Sequence, residues 1–365
     1  MSERTFLAIE SSCDETAAAI VRGREVLAES IATQAELHER FGGVVPEIAS
    51  RRHLELVDMV VRDTLERAPE GIERLSDVDA IAVTQGPGLV GALLVGVAAA
   101  KARAWAAGLP LVPVDHLLGH VASALLAEPE PGQPPLEPPF LCVLASGGHT
   151  LLLDVDEQMG LTLLGSTRDD AAGEAFDKGA RLLGLPMPGG PALSQLAASA
   201  GEERGGDLRF TPAMVHQDTL DTSFAGIKTA LAVALRERAA SGAPESPSDA
   251  QLAAAYEDAI VATIAGSVRK LLKARGPRSG HAEARDTMAV VGGVAANAML
   301  RREMTVICEE FDVRSVQAPL RWCGDNAAMI GAAARYCSEH AGADAWSLDA
   351  YATTPLFRSG RLVPN

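Results

Sequence analysis

Residues 6–21 read FLAIESSCDETAAAIV, two apolar runs separated by small polar residues. This pattern predicts two strands joined by a short turn. Residues 140–155 read FLCVLASGGHTLLLDV and repeat the plan, with Phe6 matching Phe140 and Thr16 matching Thr150 at a constant offset of 134 residues. A repeated strand–turn–strand unit predicts a duplicated domain, and the alternative is a chance similarity between two short hairpins.

The segments between and after these hairpins alternate between helical and strand patterns. Helices are predicted over residues 46–68 and 90–107, strands over 79–84 and 111–114, and a further helix from residue 116. This alternation predicts the α/β class. The run EPEPGQPPLEPP at 128–139 predicts a linker, and polar breaks follow at 241–248 and 275–286. We therefore expect α/β domains at 1–135 and 139–324, with a helix at about 325–350 packed back on the first.

Composition limits the classes of function. The formal net charge of the 365 residues is −16, which argues against a basic nucleic-acid-binding domain, so a nucleic-acid substrate would require a local basic patch or another subunit. Five cysteines without a CxxC pair and the lack of a signal-peptide pattern favour the cytoplasm. The apolar stretch 89–107 carries Lys101 and Arg103, so we expect a buried helix there and no membrane association.

Two histidines four residues apart are the first candidate site. His116 and His120 would share one helix face after a strand, a geometry that can hold one divalent ion. The alternative for such a pair is one buried and one surface histidine. Leu117 stands where an HExxH peptidase has its glutamate, which excludes that mechanism at this helix.

Asp325 precedes an alanine-rich helical segment in the run CGDNAAMIGAAA. Its simplest role is an N-cap. The alternative is a third ligand beside the two histidines, in a site with open coordination positions.

Paired glycines at predicted strand or loop ends form a second group of candidates, at 147–148, 189–190 and 292–293. They are either ordinary turns or places where backbone N–H groups approach a phosphate. The chain has no GxxxxGK[ST] loop. Asp177, in a charged cluster with Asp169, Asp170 and Glu174, either lies on a solvated helix face or binds ribose hydroxyls.

Taken together, these segments resemble one family over about residues 4–350. The motifs that carry the resemblance are ESSCDET (10–16), GGVVPE (42–47), GPGLVG (86–91), SGGHT (146–150), DDAAGEAFDK (169–178), PGGP (188–191), SFAGIKT (223–229), GGVAAN (292–297) and DN (325–326). They are similar to the bacterial tRNA threonylcarbamoyladenosine transferases, the TsaD family.

The resemblance implies an actin-like, sugar-kinase-like (ASKHA) fold of two duplicated RNase H-like domains with a central cleft. It implies transfer of the threonylcarbamoyl group of threonylcarbamoyl-AMP to N6 of adenosine 37, in tRNAs that read codons beginning with A. It assigns His116, His120 and Asp325 to a catalytic metal ion, with iron expected and zinc possible. It assigns substrate binding to Leu144, Ala145, Ser146, Gly147, Gly148, Asp177, Gly190 and Asn297.

The resemblance also implies protein partners, namely a related non-catalytic TsaB-like subunit and a TsaE-like P-loop ATPase. The family commonly reads HxEGH where this chain has HLLGH, so Leu118 replaces the usual glutamate. That replacement leaves both histidines in place and bears on the surroundings of the metal. The rival functions are a small-molecule kinase of the same fold, and a metal-dependent peptidase or scaffold.

Overall fold

The computed structural model describes residues 3–41, 43–201, 204–212, 214, 217–241, 246–275 and 286–364. The polar break expected at 275–286 lies almost wholly outside these residues, as does the middle of the break at 241–248. The segment 128–139, expected to be a linker, contains a turn and neither a helix nor a strand, which confirms that prediction.

Eleven strands are present in the described residues. They are β1 (Thr5–Glu10), β2 (Glu15–Arg22), β3 (Glu25–Thr33), β4 (Ala80–Gly86), β5 (Leu111–Asp115), β6 (Phe140–Ala145), β7 (Thr150–Val155), β8 (Leu161–Ser166), β9 (Thr287–Val291), β10 (Arg314–Gln317) and β11 (Arg361–Leu362).

Twelve α-helices are present in the same residues. They are α1 (Ala35–Glu39), α2 (Pro46–Glu66), α3 (Val90–Ala107), α4 (His116–Ser123), α5 (Ala172–Leu182), α6 (Gly189–Ala198), α7 (Ala225–Ser241), α8 (Asp249–Arg275), α9 (Ala298–Glu310), α10 (Ala327–Ala334), α11 (Gly342–Ser347) and α12 (Leu356–Ser359).

The two sheets share one strand order. The first is β3-β2-β1-β4-β5, in which β1 pairs antiparallel with β2 and parallel with β4, and β4 pairs parallel with β5. The second contains β8-β7-β6-β9-β10, with β6, β9 and β10 parallel. Five strands of the second sheet therefore have counterparts in the first, and the sixth, β11, pairs antiparallel with β8 at the edge. The shared order of these five strands confirms the duplication expected from the 134-residue offset.

The chain divides into two compact units, described here separately. The first unit comprises Met1–Pro139, Asp154–Thr162 and Ala318–Asn365, and the second comprises Phe140–Leu153 and Leu163–Gln317. In the first unit, β1 is buried over its whole length, because parallel strands in the middle of a sheet are covered on both faces. In the second unit, β6 is buried in the same way.

The helix expected at about 325–350 is instead two shorter helices, α10 and α11. The chain leaves the helical conformation between them, since the backbone of His340 exchanges two hydrogen bonds with Leu111 on the edge of the first sheet. Gly342 then adopts a φ of 56°, which a continuous helix does not allow. Helix α10 packs on α4, β1 and β2.

Helix α3 buries only one face, formed by Ala92, Leu93, Gly96, Val97, Ala100 and Ala104. The expectation of a buried helix is therefore only half right. By length and composition alone this helix could cross a membrane, and a third of it is buried inside the protein. One such helix is weak evidence, because core helices meet the same criteria.

Candidate active site

The two histidines lie at the start of α4, directly after β5. Asp115 is the N-cap, and its Oδ1 accepts hydrogen bonds from the backbone N–H groups of Leu117 (2.9 Å) and Leu118 (3.4 Å). The cap fixes His116 as the first residue of the helix, and His120 follows one turn later. Both histidines are buried, and their ring centroids lie 4.6 Å apart.

Asp325 lies against both histidines and does not cap α10. The N-cap of α10 is Asn326, whose side chain accepts the N–H of Met329. Oδ1 of Asp325 lies 3.2 Å from Nε2 of His120 and 3.6 Å from Nε2 of His116. One ligand atom from each of the three residues lies within 4.8 Å of the others. The fold thus joins residues that are far apart in sequence, as the resemblance implies.

The chemistry of this cluster fits a divalent metal ion. His120 is 1% exposed, and neither of its ring nitrogens has a hydrogen-bond partner among the described residues. Leaving such a buried polar group unpaired costs about 1–3 kcal/mol. Two imidazoles and a carboxylate are the ligands that iron(II) and zinc accept with open coordination positions. Nε2 of His120 lies 3.2 Å from Oδ1 of Asp325 without forming a hydrogen bond, and a bound ion would be a shared partner for both atoms.

Glu10 is a member of the cluster that the sequence analysis did not assign. It ends β1, is fully buried, and its Oε2 lies 3.2 Å from Nδ1 of His116 and accepts the hydroxyl of Thr84. Oγ of Ser12 lies 3.2 Å from the same Nδ1. A charged residue at the end of an otherwise apolar run was the available signal, since a buried carboxylate needs a partner.

The carboxylates of Asp325 and Glu10 control the protonation of His116 in the metal-free protein. Burial alone would lower the pKa of His116, but Asp325 and Glu10 outweigh it and raise the pKa to about 9. Burial would raise the pKa of Glu10, but His116 outweighs burial and holds it below its usual range. A metal ion at Nε2 of His116 therefore competes with a proton.

Cys13 is no candidate nucleophile in this setting. Burial raises the pKa of its thiol, and the neighbouring carboxylates of Asp14 and Asp325 raise it further. Because the thiolate is the nucleophilic form, a thiol held neutral is unreactive.

Leu118, the departure from the family pattern, is 1% exposed and lines a cavity of about 210 Å³. Asp115, Cys337, Tyr351 and Arg361 line the same cavity. The substituted position therefore shares a cavity with the C-terminal part of the chain.

In the second unit, residues 144–148 form the end of β6 and the turn after it. Leu144 and Ala145 are buried in the strand, and the backbone N–H of Ser146 donates to the carbonyl of His149 (2.8 Å). Gly147 and Gly148 are exposed, with open space where a side chain would project. Gly292 has a φ of 92°, and a Cβ there would lie 2.4 Å from the carbonyl oxygen of Ala145. The glycine-rich run at 292–293 therefore lies against the end of β6.

Asp177 and Gly190 meet at the start of α6. Oδ1 of Asp177 accepts the N–H of Gly189 (2.9 Å). Burial raises the pKa of Asp177, and hydrogen bonds from the N–H groups of Gly189 and Gly190 oppose the shift. Asp177 of α5 therefore contacts the N-terminus of α6 and is partly buried, which argues against the alternative of a solvated helix face.

Asn297 connects three helices. It is the N-cap of α9, where Oδ1 accepts the N–H of Leu300 (2.8 Å). Its Nδ2 donates to Oγ of Ser194 on α6 (2.9 Å) and to Oε1 of Glu257 on α8 (2.7 Å). Ser194 and Glu257 were not singled out from the sequence, because nothing in their local patterns marks them.

The fold and the His–His–Asp cluster define the class: an α/β protein of the actin-like, sugar-kinase-like type. The solved structure of HypF from T. kodakarensis superposes with a TM-score of 0.58 at 15% identity, over 92% of this chain and 47% of that one. A full-length HypF with bound phosphate and nucleotide gives 0.55 at 13% identity, over 91% and 55%. At this identity the likeness shows the fold alone.

Residues 25–332 match the model of the TsaD family, described as tRNA N6-adenosine threonylcarbamoyltransferase. The chain belongs to this family and is a transferase that acts on tRNA. It is 48% identical over 352 residues to the enzyme of that name from Anaeromyxobacter dehalogenans (strain 2CP-C), covering 94% of this chain and 99% of the relative. It is 44% identical over 332 residues to the one from Clostridium botulinum (strain 657 / Type Ba4), covering 91% and 92%.

Proposed function

We propose that the protein transfers the threonylcarbamoyl group of threonylcarbamoyl-AMP to N6 of adenosine 37 in tRNAs that read codons beginning with A, with a metal ion held by His116, His120 and Asp325. The observation that carries the metal site is that ligand atoms of His116, His120 and Asp325 lie within 4.8 Å of one another, and the ring nitrogens of the buried His120 make no hydrogen bond among the described residues. The ion is iron, with zinc as the alternative of the same coordination preference. The reaction takes place in the cytoplasm, in line with five free cysteines.

The chemistry is acyl transfer from a mixed anhydride. The N6 amine forms a bond to the carbamoyl carbon, the bond from that carbon to the phosphate oxygen breaks, AMP leaves with the electron pair, and the amine loses one proton. An adenine amine is a weak nucleophile, because its lone pair is delocalised into the ring. Catalysis therefore depends on positioning the amine and on stabilising charge at the carbonyl and phosphate oxygens.

Three residues of the first unit would hold the ion, and Glu10 would orient His116. The chemistry that a divalent ion supplies in such a site is Lewis-acid polarisation of a carbonyl or phosphoryl oxygen. Glu10 accepts the Nδ1 proton of His116, which keeps the lone pair of Nε2 directed towards Asp325.

Residues of the second unit would bind the donor and the nucleoside. The exposed backbone of Gly147 and Gly148 leaves room for a phosphate to approach, as glycine-rich turns do in nucleotide sites. Leu144, Ala145 and Ser146 set the position of this turn at the end of β6. Gly190 at the N-terminus of α6, Asp177 and Asn297 are the proposed nucleotide-binding residues, and a nucleotide would share or replace hydrogen bonds that Asp177 and Asn297 make within the protein.

A related TsaB-like subunit and a TsaE-like P-loop ATPase are the proposed partners. Exposed apolar side chains on α2 and α3 support association with the TsaB-like subunit. A Cβ at Gly91 would lie 2.5 Å from Oγ of Ser50, so the two helices are in close contact there. Leu54, Val90 and Leu94 surround this contact and are exposed. Leu54→Arg is expected to prevent association with the related subunit without changing metal content.

Reconstitution tests the proposal. The chain, the two partner subunits, threonylcarbamoyl-AMP and unmodified tRNA are combined, and the digested nucleosides are analysed by mass spectrometry. We expect modification of a tRNA with adenosine at position 37 and none when guanosine replaces it. Absence of product with folded partners contradicts the proposal.

A histidine variant tests the metal site in the same assay. His120→Ala is expected to reduce metal content and product together, while His340→Ala, in the same unit but outside the cluster, leaves both unchanged. Turnover that persists after the metal is lost rules out a catalytic role for the ion.

A further inference from the structure

The carboxylate of Asp115 joins the metal-binding helix to the C-terminal segment, defined here as residues 349–364. While Oδ1 caps α4, Oδ2 accepts the hydroxyl of Tyr351 (2.8 Å) and the hydroxyl of Thr354 (2.8 Å). Asp115 is 7% exposed and Thr354 is fully buried. All four groups around this carboxylate are donors, so both of its oxygens are satisfied.

The C-terminal segment is itself fixed on the first sheet beside this carboxylate. The backbone N–H of Tyr351 donates to the carbonyl of Gln85 (3.1 Å), and the side-chain amide of Gln85 donates to the carbonyl of Asp349 (2.7 Å). A Cβ at Gly86 would lie 2.1 Å from the carbonyl oxygen of Tyr351, so only glycine permits this approach. The segment therefore lies against the end of β4, next to the strand that leads into α4.

An N-cap determines where a helix begins and thus how its first side chains are directed. In α4 the first side chain is His116, and His120 lies one turn further on the same face. A metal site loses affinity when its ligands are displaced by fractions of an ångström. The hydrogen bonds to Tyr351 and Thr354 limit the rotation of Asp115, so they also limit the movement of the helix start.

We infer that Asp115 is a positioning residue for the metal ligands and that Tyr351 and Thr354 hold it in its capping position. The inference rests on the proposed metal centre. It assigns a function to the C-terminal segment, which lies beyond the region matched by the family model, residues 25–332.

The test measures binding of Co²⁺ to the full-length protein after removal of metal by a chelator. The visible absorption of Co²⁺ reports coordination geometry as well as affinity. Asp115→Ala is expected to weaken binding about tenfold, the lower end of the range for residues that orient metal ligands. Asp115→Asn is expected to restore binding, because its side-chain oxygen can cap and its amide can donate to both hydroxyls.

A double variant avoids disturbing the cap itself. Tyr351→Phe with Thr354→Val keeps Asp115 and is expected to weaken Co²⁺ binding roughly threefold and to broaden its absorption bands, in line with the loss of hydrogen bonds to a charged group. The matched control is Tyr256→Phe with Thr64→Val, which removes two buried hydroxyl groups that hydrogen-bond to backbone carbonyls away from α4.

The outcomes separate the two proposals. Co²⁺ affinity and spectrum that are the same in the Tyr351→Phe, Thr354→Val variant as in the wild type overturn the positioning role, as does an equal loss in the control. The Tyr351→Phe, Thr354→Val variant therefore tests the positioning role even if Asp115→Ala does not fold. A wild-type protein that binds no Co²⁺ overturns the metal centre, and with it this inference.

Discussion

The carboxylate of Glu10 lies 3.2 Å from Nδ1 of His116, the ring nitrogen opposite the one that faces Asp325. A carboxylate at Nδ1 favours the tautomer that carries its proton there, which leaves the lone pair of Nε2 available. In many metal sites a carboxylate in this position fixes the tautomer and the ring orientation of the ligating histidine. Here it comes from the first strand of the chain.

Glu10→Gln is expected to weaken metal binding by about 10–100-fold, the range for residues that orient metal ligands. The backbone N–H of Ser12 donates to Oε1 of Glu10, so the oxygen of a glutamine must remain there. Its amide NH₂ then faces Nδ1 of His116 and favours the tautomer protonated at Nε2, which cannot bind a metal. Titration of the metal-free protein with Zn²⁺ or Co²⁺ measures the change.

Glu29→Gln is the matched control for this prediction. Glu29 is also a largely buried glutamate of the first unit, but it accepts the N–H of Ala328 and contacts neither histidine. Its substitution is expected to leave metal affinity unchanged. Equal affinities for Glu10→Gln and the wild type would show that Glu10 does not orient His116.

Glu29 is also expected to make the stability of the folded protein depend on pH. Burial raises its pKa to about 7 from a usual 4.5, against the opposing hydrogen bonds from Ala328 and Ala327. The folded state therefore holds the proton more tightly than the unfolded state. The resulting stabilisation is fully present below about pH 4.5 and is lost as the pH rises through about 7.

Urea unfolding at pH 4.5 and pH 8 measures this effect. Between pH 4.5 and pH 8, the free energy of unfolding of the wild type is expected to fall by on the order of 2 kcal/mol more than that of Glu29→Gln. Glu47→Gln, which removes an exposed glutamate, is expected to follow the wild type. Parallel pH profiles for the wild type and Glu29→Gln would refute the shifted pKa.

The sequence located the central strands and helices α2 and α3 because each carries a strong apolar pattern, but it did not identify α8, the longest helix. The bounds of α3 agree with the prediction at both ends, and both hairpins were located from their apolar runs. Strand β3 was missed because EVLAESIAT does not alternate regularly, and its pairing with β2 stabilises it from outside the segment. Local pattern cannot report a contact made by a neighbouring strand.

The site was less accessible to sequence reasoning. The spacing of His116 and His120 is common in helices, and Asp325 and Asn326 are both good N-caps. Only the fold shows that Asn326 caps α10 and that Asp325 faces the histidines. Their assignment from sequence therefore depended on the family motifs, and Glu10 was missed because local sequence does not show which side chains meet across 106 residues.

Two substitutions of Asn297 are expected to differ in stability in a way that depends on pH. Asn297→Ala removes the α9 cap and should cost about 1 kcal/mol of stability. Asn297→Asp keeps the cap but places a second carboxylate beside Oε1 of Glu257, now 2.7 Å from the amide. We expect Asn297→Asp to be the less stable variant at pH 8, with the order reversing at pH 4 as the introduced carboxylate becomes protonated. Thermal unfolding at the two pH values decides, and a pH-independent order contradicts this geometry.

Leu118→Glu, which restores the residue common in the family, is expected to destabilise this protein by about 2–4 kcal/mol at pH 7. The side chain is buried in the cavity that Asp115 also lines, so two carboxylates would share a site. Leu118→Gln, which has the same shape without the charge, is expected to destabilise the protein less. The difference in stability between the two variants should shrink at pH 5. Unfolding in urea measures both variants, and Co²⁺ titration should show no gain in affinity for Leu118→Glu, because the position lines a cavity with the C-terminal segment. A glutamate variant as stable as the glutamine variant and tighter in metal binding would mean that position 118 acts on the metal after all.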